Sequence, residues 1–396
     1  MSREEVYSAC ETALTKSNCL LLEAATGLGK TAISLKLVNW ITSSVYKSHR
    51  PKMLLLVAKI VHKQTWKDEI EKWGGINADV TMECYESLHK HTGEFFEFVV
   101  MDECHHIASE ARMEALKTIK YGYMLGLSAT IPRNVKAFFR YYYHSQVVSC
   151  DIIEAIDSEV LPEPTILLFP LEVENTRMSE TIELNPKAKG PIVHGEYKDY
   201  WKLKKQKVHA ILRCTQKQKL MDLDKTIEWY KKKAMGGNMA LKQTWLYMCG
   251  KRLEFLADCK LGWVKAILHH LDKERTITFC KTIAQTEHLG KNCIHSQNKD
   301  ATKVYDDFNA KKINHITAVN ILNENANLVD CKYAVFANLS SSEVVIPQRI
   351  GRSMRHKHPV IIFPYYTGTR EEEILQKMLE GFNKEYIKII HSINEI

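Results

Sequence analysis

The sequence predicts an α/β protein with two parallel-sheet domains in tandem, the second carrying a helical insertion. Short apolar runs of strand length alternate with helix-length amphipathic stretches at both ends of the chain. That rhythm breaks between residues 176 and 252, where the sequence turns polar, basic and helical in pattern. The 396 residues are enough chain for two hydrophobic cores.

In order, "CLLLEAA" (19–25) reads as a buried strand, followed by a glycine-rich turn and the helix "KTAISLKLVNWITSS". "KMLLLVA" (52–58) is a second strand, with the amphipathic "VHKQTWKDEIEKW" after it. "FEFVVMD" (96–102) and "GYMLGLSAT" (122–130) supply two more. Strands that are near-continuous apolar runs belong to a parallel sheet covered on both faces. "SEVLPEP" (158–164), with two prolines, is a connector, and "TILLFPL" (165–171) resumes as a strand. The basic stretch holds "KDYWKLKKQKVHAILRC", "LDKTIEWYKKKA" and "LKQTWLYMCG", all read as helical, with "NPKAKG" and "MGGN" as turns. After "RLEFLADCKLGWVKAILHHL" the alternation returns at "TITFC" (276–280), "NCIHS" (292–296), "HITAV" (315–319), "YAVFAN" (333–338) and "VIIFPYY" (360–366). The expected organisation is a first domain over 1–157 and a connector with the first strand of the second domain over 158–175. The insertion then covers 176–252, and the rest of the second domain covers 253–396.

An apolar share of 45% with 26% charged residues is that of an ordinary globular protein. No apolar run approaches the ~18–20 residues that span a bilayer, so no membrane is expected. The N-terminal "MSREEVYSAC" is charged and has no signal-like stretch, which points to the cytoplasm, that of the host if the chain is phage-encoded. Eleven cysteines without a CxxC pair read as reduced thiols. The net charge of +8 is uneven: residues 177–252 hold 18 Lys and Arg against 7 Asp and Glu, and the remainder 37 against 40. Such a segment suits a polyanionic partner, and equally a solvated basic helix face.

"AATGLGKT", Ala24 to Thr31, follows a strand and opens a helix, the context a phosphate-binding loop requires. Gly27 and Gly29 let the backbone turn its N–H groups toward a polyphosphate, beside the positive end of the helix dipole. Lys30 can reach the β and γ phosphates, and Thr31 can ligate Mg²⁺ through its hydroxyl. Thr26, Gly27, Leu28, Gly29, Lys30 and Thr31 form the candidate nucleotide-binding segment. The loop begins with Ala24 where the consensus has Gly.

"VVMDECHH" (99–106) closes a strand about 70 residues later. In a parallel sheet, Asp102 then faces the same rim as the phosphate loop. Asp102 is the candidate Mg²⁺ holder together with Thr31, and Glu103 the group that orients and deprotonates an attacking water. A zinc site would need four ligands at spacings one ion can gather. Cys104, His105 and His106 are adjacent in sequence and have no second Cys/His pair at finger spacing. Core packing is expected for Cys104, and for His106 a polar contact between domains.

"LGLSATIPR" places Ser128 and Thr130 at a strand end. Far downstream, "PQRIGRSMRHK" spaces Gln348, Arg352 and Arg355 at i, i+4, i+7, on one helix face. Arginines presented to a γ-phosphate stabilise transition-state charge.

Residues 24–31, the "DECH" of 102–105, the "SAT" of 128–130 and "QRIGRSMR" (348–355), in this order, resemble the DEAD/DEAH-box helicases of superfamily 2. With "VAKIVHKQTWKDEIEKW" (57–73), the chain looks most like compact phage and bacterial DExH helicases and DNA-repair translocases. The resemblance covers most of the chain outside 176–252. It implies two RecA-like domains with ATP and Mg²⁺ between them. It also implies Lys30, Glu103, Gln348, Arg352 and Arg355 in catalysis, and Ser128 and Thr130 linking hydrolysis to the nucleic-acid face. The segments matching backbone-contacting motifs implicate Lys59 and Gln64, then Tyr85 and Ser87, and in the second domain Lys281 and Ser296. "AVNILNENANLVD" (318–330) departs from the family: Asn325 stands where Gly is usual, Asn327 where Asp is frequent, and Val319 where Thr is often found. No glutamine in the N-terminal segment clearly reads adenine.

The resemblance implies a nucleic-acid-dependent ATPase, a helicase or translocase, with DNA favoured over RNA. A monomer is expected, because one chain supplies both halves of the ATP site. The alternatives are an RNA helicase and a nucleic-acid-binding protein with weak or no motor activity. A phosphate-loop kinase or GTPase would have no use for the later motifs. In the insertion, Lys beside Trp201, Tyr200 and Trp229 suits a nucleic-acid clamp. For Trp201, Trp229 and Trp245 the favoured expectation is inward packing in a small helical subdomain, with the lysines turned to nucleic acid.

Overall fold

The computed structural model describes residues 1–47, 49–319, 328–339, 350 and 356–396. They fall into two compact units, the first built mainly on 1–165 and the second mainly on 166–319, 333–339 and 361–396.

Unit 1 is a six-stranded sheet: β1 (Cys19–Ala24), β2 (Lys52–Val57), β3 (Asp79–Cys84), β4 (Phe95–Asp102), β5 (Lys120–Ser128) and β6 (Gln146–Cys150). The order is β3-β2-β4-β5-β1-β6, and every pairing is parallel. The central strands are the apolar runs of the sequence. Leu20–Leu22, Leu54–Val57 and Phe98–Met101 are buried on both faces, each large aliphatic side chain contributing about 1.5–3 kcal/mol. β3 and β6 lie at the edges with alternating burial, which is why "DVTMEC" and "QVVSC" carry no continuous apolar signal. Because the sheet is parallel, the C-terminal ends of β1, β2, β3, β4 and β5 share one rim. The segments after Ala24, Val57, Cys84, Asp102 and Ser128 therefore gather there.

Close packing fixes one glycine under that rim. A Cβ on Gly126 would lie 2.6 Å from Leu21 Cδ2 and 3.3 Å from both Cβ and Sγ of Cys104. Cys104 is fully buried in the core cluster with Leu21, Tyr85 and Met101, so core packing is its place.

Unit 2 contains a seven-stranded sheet and a smaller one. β7 (Thr165–Leu171) precedes the three insertion strands β8 (Glu180–Leu184), β9 (Val193–Glu196) and β10 (Ala210–Cys214). Then come β11 (Thr276–Phe279), β12 (Cys293–Ile294), β13 (His315–Ala318), β14 (Tyr333–Phe336), β15 (Val360–Tyr366) and β16 (Ile387–Ile389). The large sheet runs β12-β13-β11-β14-β15-β7-β16. The β11–β13, β11–β14, β12–β13 and β16–β7 pairs are parallel.

The insertion is not purely helical. Its first part is the sheet β8-β10-β9, and only its second part is the long helices Gln216–Met235 and Met239–Cys259. The lysine-rich run read as one helix stops at Gln206. Lys207 takes a left-handed cap (φ 55°), and "AILRC" continues as β10, its alternate residues buried. Ile182, Leu184, Tyr200, Leu203, Ala210, Leu212 and Cys214 form the small core. That core fills without the tryptophans expected to pack inward: Trp201 is 65% and Trp229 54% exposed, while Trp245 is half-buried.

Asn325, Asn327, Gln348, Arg352 and Arg355 lie outside the described residues.

Candidate active site

After β1 the chain turns through the loop into the helix Lys30–Ile41. Gly27 (φ 99°) and Gly29 (φ 97°) hold left-handed backbone that a side chain would strain. Gly29 is the N-cap and makes no side-chain cap bond, so the positive dipole end of the helix faces the loop. From the N-terminal helix, Arg3 braces the loop. Its Nε donates to the Leu28 carbonyl at 3.1 Å and its Nη2 to the Gly27 carbonyl at 3.4 Å. Lys30 Nζ donates to the Ala24 carbonyl at 2.9 Å. The Thr26 hydroxyl is buried with no partner among the described residues, a cost that a ligand oxygen would relieve.

A cavity of about 710 Å³ opens over this loop. It is lined by all of Thr26–Thr31, by Asp102 and Glu103 from the end of β4, by Arg3 and Tyr7 from the first helix, and by Lys72 and Trp73. The loop and the two acids, about 70 residues apart in sequence, thus share one pocket.

Asp102 and Glu103 are both buried. The Trp66 indole N–H donates to Asp102 Oδ2 at 2.8 Å, and the Tyr85 hydroxyl donates to the Asp102 carbonyl at 2.8 Å. Glu103 has left-handed backbone (φ 49°, ψ 57°), a conformation that costs a non-glycine residue about 1–3 kcal/mol. The chain reverses there, and Glu103 Oε2 meets the Ser128 hydroxyl at 3.1 Å and His105 Nδ1 at 3.4 Å.

Ser128 stands at a junction. Its hydroxyl is 2.9 Å from the Thr130 carbonyl, accepts from the Thr130 N–H at 3.3 Å, and lies 3.0 Å from His105 Nδ1. It has one proton, which serves either Glu103 or the Thr130 carbonyl at a given moment. The following turn is held by Glu23, paired in register with Ser128. Glu23 accepts from the Ile131 N–H at 2.7 Å and from Lys136 Nζ at 2.5 Å.

Of the expected backbone-contacting residues, Lys59 is exposed at the start of the helix Ile60–Lys72, beside Ile60 and Val61, which are 76% and 69% exposed. Gln64 is exposed one turn on and donates to Asp68 at 2.8 Å. Ser87 is half-buried in the turn after β3. Tyr85 corrects the expectation. It is 1% exposed and its hydroxyl is engaged by Asp102, so it braces the acid strand from inside and has no surface for nucleic acid. In unit 2, Lys281 follows β11, half-buried, with its N–H donating to Gln285 Oε1 at 2.9 Å, and Ser296 is exposed after β12. His106 lies against Tyr85 and His105 within unit 1, with ring centroids at 5.8 and 4.4 Å. Arg3, Trp66 and Glu23 are not singled out in the sequence. Arg3 and Trp66 sit in ordinary helical patterns, and only their tertiary partners distinguish them.

The family described as the type III restriction enzyme res subunit matches residues 2–133, and the helicase conserved C-terminal domain matches 259–357. The chain is similar in fold to the Hef helicase domain of Pyrococcus furiosus, with a TM-score of 0.50 and 15% identity over 95% of this chain and 97% of that one. No curated protein matches the chain. Among the described residues, no helix is long and apolar enough to cross a membrane.

Proposed function

Because the chain belongs to the superfamily 2 DExH-type helicases, which are ATP-hydrolysing enzymes, we propose that it is a DNA helicase or translocase that works as a cytoplasmic monomer. The observation that carries this reading is the single cavity holding the left-handed glycine loop, Lys30, Thr31, Asp102 and Glu103. The Thr26 hydroxyl, without a partner among the described residues, and the helix N-terminus behind Gly29 fit a nucleoside triphosphate. When bound, ATP with Mg²⁺ supplies the scissile phosphoanhydride and neutralises charge across its oxygens.

In this reading, Thr26, Gly27, Leu28 and Gly29 wrap the phosphates with backbone N–H groups and the Thr26 hydroxyl. Lys30 would neutralise the β and γ oxygens, while Thr31 and Asp102 would hold Mg²⁺. Glu103 orients the attacking water and takes its proton, and Gln348, Arg352 and Arg355 are the groups that would stabilise the developing charge. The proton of Ser128, shared between Glu103 and the Thr130 carbonyl, connects the hydrolytic carboxylate to the following loop. Lys59, Gln64, Ser87, Lys281 and Ser296 bind the nucleic-acid backbone. The working boundaries are 1–157, 158–175, 176–252 and 253–396. DNA is preferred to RNA on the likeness of residues 2–133 to the type III restriction enzyme res subunit.

Displacement of a labelled strand from partial duplexes tests the reading. The expected result is ATP- and Mg²⁺-dependent release from DNA that falls as salt rises. Release from RNA duplexes alone would assign the track to RNA, and nucleic-acid binding without release would leave a binding protein.

A further inference from the structure

We propose that the insertion carries a stacking surface for single-stranded nucleic acid, centred on Trp201 and Trp229, a reading that rests on the chain being a nucleic-acid motor. Both rings are more than half exposed although the small core beside them is complete. Trp201 is nevertheless held in place. Its ring meets the buried Tyr200 ring edge-on at 5.2 Å and 78°, and the Tyr200 hydroxyl donates to Asp222 Oδ1 at 2.6 Å. A ring anchored this way loses little freedom on binding.

Lysines frame that ring. Lys225 Nζ is 5.2 Å and Lys204 Nζ 5.5 Å from its centroid. Among the described residues, Lys225 pairs with no carboxylate. On the helix Gln216–Met235, Met221, Lys225, Trp229 and Lys232 follow at spacings of four, four and three, one stripe of the exposed face. The buried Leu220 and Ile227 lie on the other side. Apolar and cationic side chains therefore alternate across the surface. Protein interfaces concentrate apolar residues in a core patch and deplete lysine, so this alternation suits a strand whose bases stack and whose phosphates meet ammonium groups. The segment's charge, 18 Lys and Arg against 7 Asp and Glu, has the complementary sign. Duplex bases hide their faces, so the fit is to a single strand.

The test is equilibrium binding of the full chain to labelled oligo(dT) and oligo(rU) of about twenty nucleotides, long enough to cover a typical single-strand site. Tryptophan quenching is followed alongside. Trp201→Ala and Trp229→Ala are each expected to weaken binding roughly 5- to 100-fold, with Trp201→Phe near wild type. Lys225→Gln should reduce the salt dependence by about one phosphate contact. Hydrolysis without nucleic acid should stay at the wild-type rate in all four. The dT and rU arms state whether the surface takes DNA, RNA or both. Wild-type binding with undiminished affinity and quenching in both Ala variants would overturn this proposal and leave the motor intact. Failure of the wild type to bind any strand would overturn the motor reading itself, and this surface with it.

Discussion

The indole N–H of Trp66 is hydrogen-bonded to Oδ2 of Asp102 at 2.8 Å, and both residues are buried. Trp66 belongs to the helix Ile60–Lys72, whose start carries the exposed Lys59, Ile60 and Val61. One buried bond therefore ties the helix proposed to touch nucleic acid to the carboxylate proposed to hold Mg²⁺. Tyr85, from the next such segment, reaches the carbonyl of the same aspartate. Asp102 is thus positioned from two rim segments for which the family resemblance implies contact with nucleic acid.

Trp66→Phe keeps most of the ring and removes the donor. A hydrogen bond to a charged group contributes about 1.5–3 kcal/mol, so stability to urea should fall by that order. The Mg²⁺ concentration that half-saturates hydrolysis should rise, because the carboxylate is no longer held in one orientation. Unchanged stability and Mg²⁺ dependence would show that the bond positions nothing.

Ser128→Ala removes the hydroxyl that bridges Glu103, His105 and the Thr130 backbone. Hydrolysis in the absence of nucleic acid is expected to fall only a few-fold, since Glu103 itself remains, within the modest net worth of one hydrogen bond. Stimulation by single-stranded DNA is expected to be lost. Equal loss of both rates would make Ser128 part of the hydrolytic machinery alone.

Gly126→Ala places a methyl 2.6 Å from Leu21 Cδ2 and 3.3 Å from Cys104. Overpacking of this kind costs about 1–3 kcal/mol, read as a lower urea midpoint. Cys104→Ala in the same chain opens space at Sγ, so the pair of substitutions should cost less than the sum of the two. Strict additivity would mean that the two sites do not touch.

Burial disfavours the thiolate. It pushes Cys10, Cys19 and Cys259 up to about 12 and Cys214 to about 11, and holds Cys104 well above the ordinary thiol range. At pH 8 these groups stay protonated and react slowly. Alkylation mapped by mass spectrometry should find the half-buried Cys249 and Cys84 first, and Cys104 only after unfolding. Rapid modification of Cys104 in the folded protein would contradict its place in the core.

The central strands of both large sheets were legible because they are buried on both faces and read as unbroken apolar runs. The strands that escaped notice are edge or small-sheet strands, where burial alternates and a short "ETIEL" or "AILRC" is masked by neighbouring lysines. The phosphate loop and the Asp102–Glu103 pair were legible because their chemistry is local in sequence. Trp66 and Asp102 are 36 residues apart, and Arg3 and Leu28 are 25 apart; no pattern along the chain announces such contacts. Tyr85 was misjudged for the same reason. Its segment resembles a surface motif, while its ring fills the core beneath.

The most direct measurement is steady-state ATP hydrolysis by the purified chain with and without single-stranded DNA, duplex DNA and RNA, alongside Glu103→Gln. The account predicts stimulation by DNA, and a loss of about 10²–10⁴-fold in the variant with ATP binding retained, as expected when a general base is removed. Hydrolysis that depends on Glu103 but is indifferent to every nucleic acid would contradict the claim that this site drives a motor.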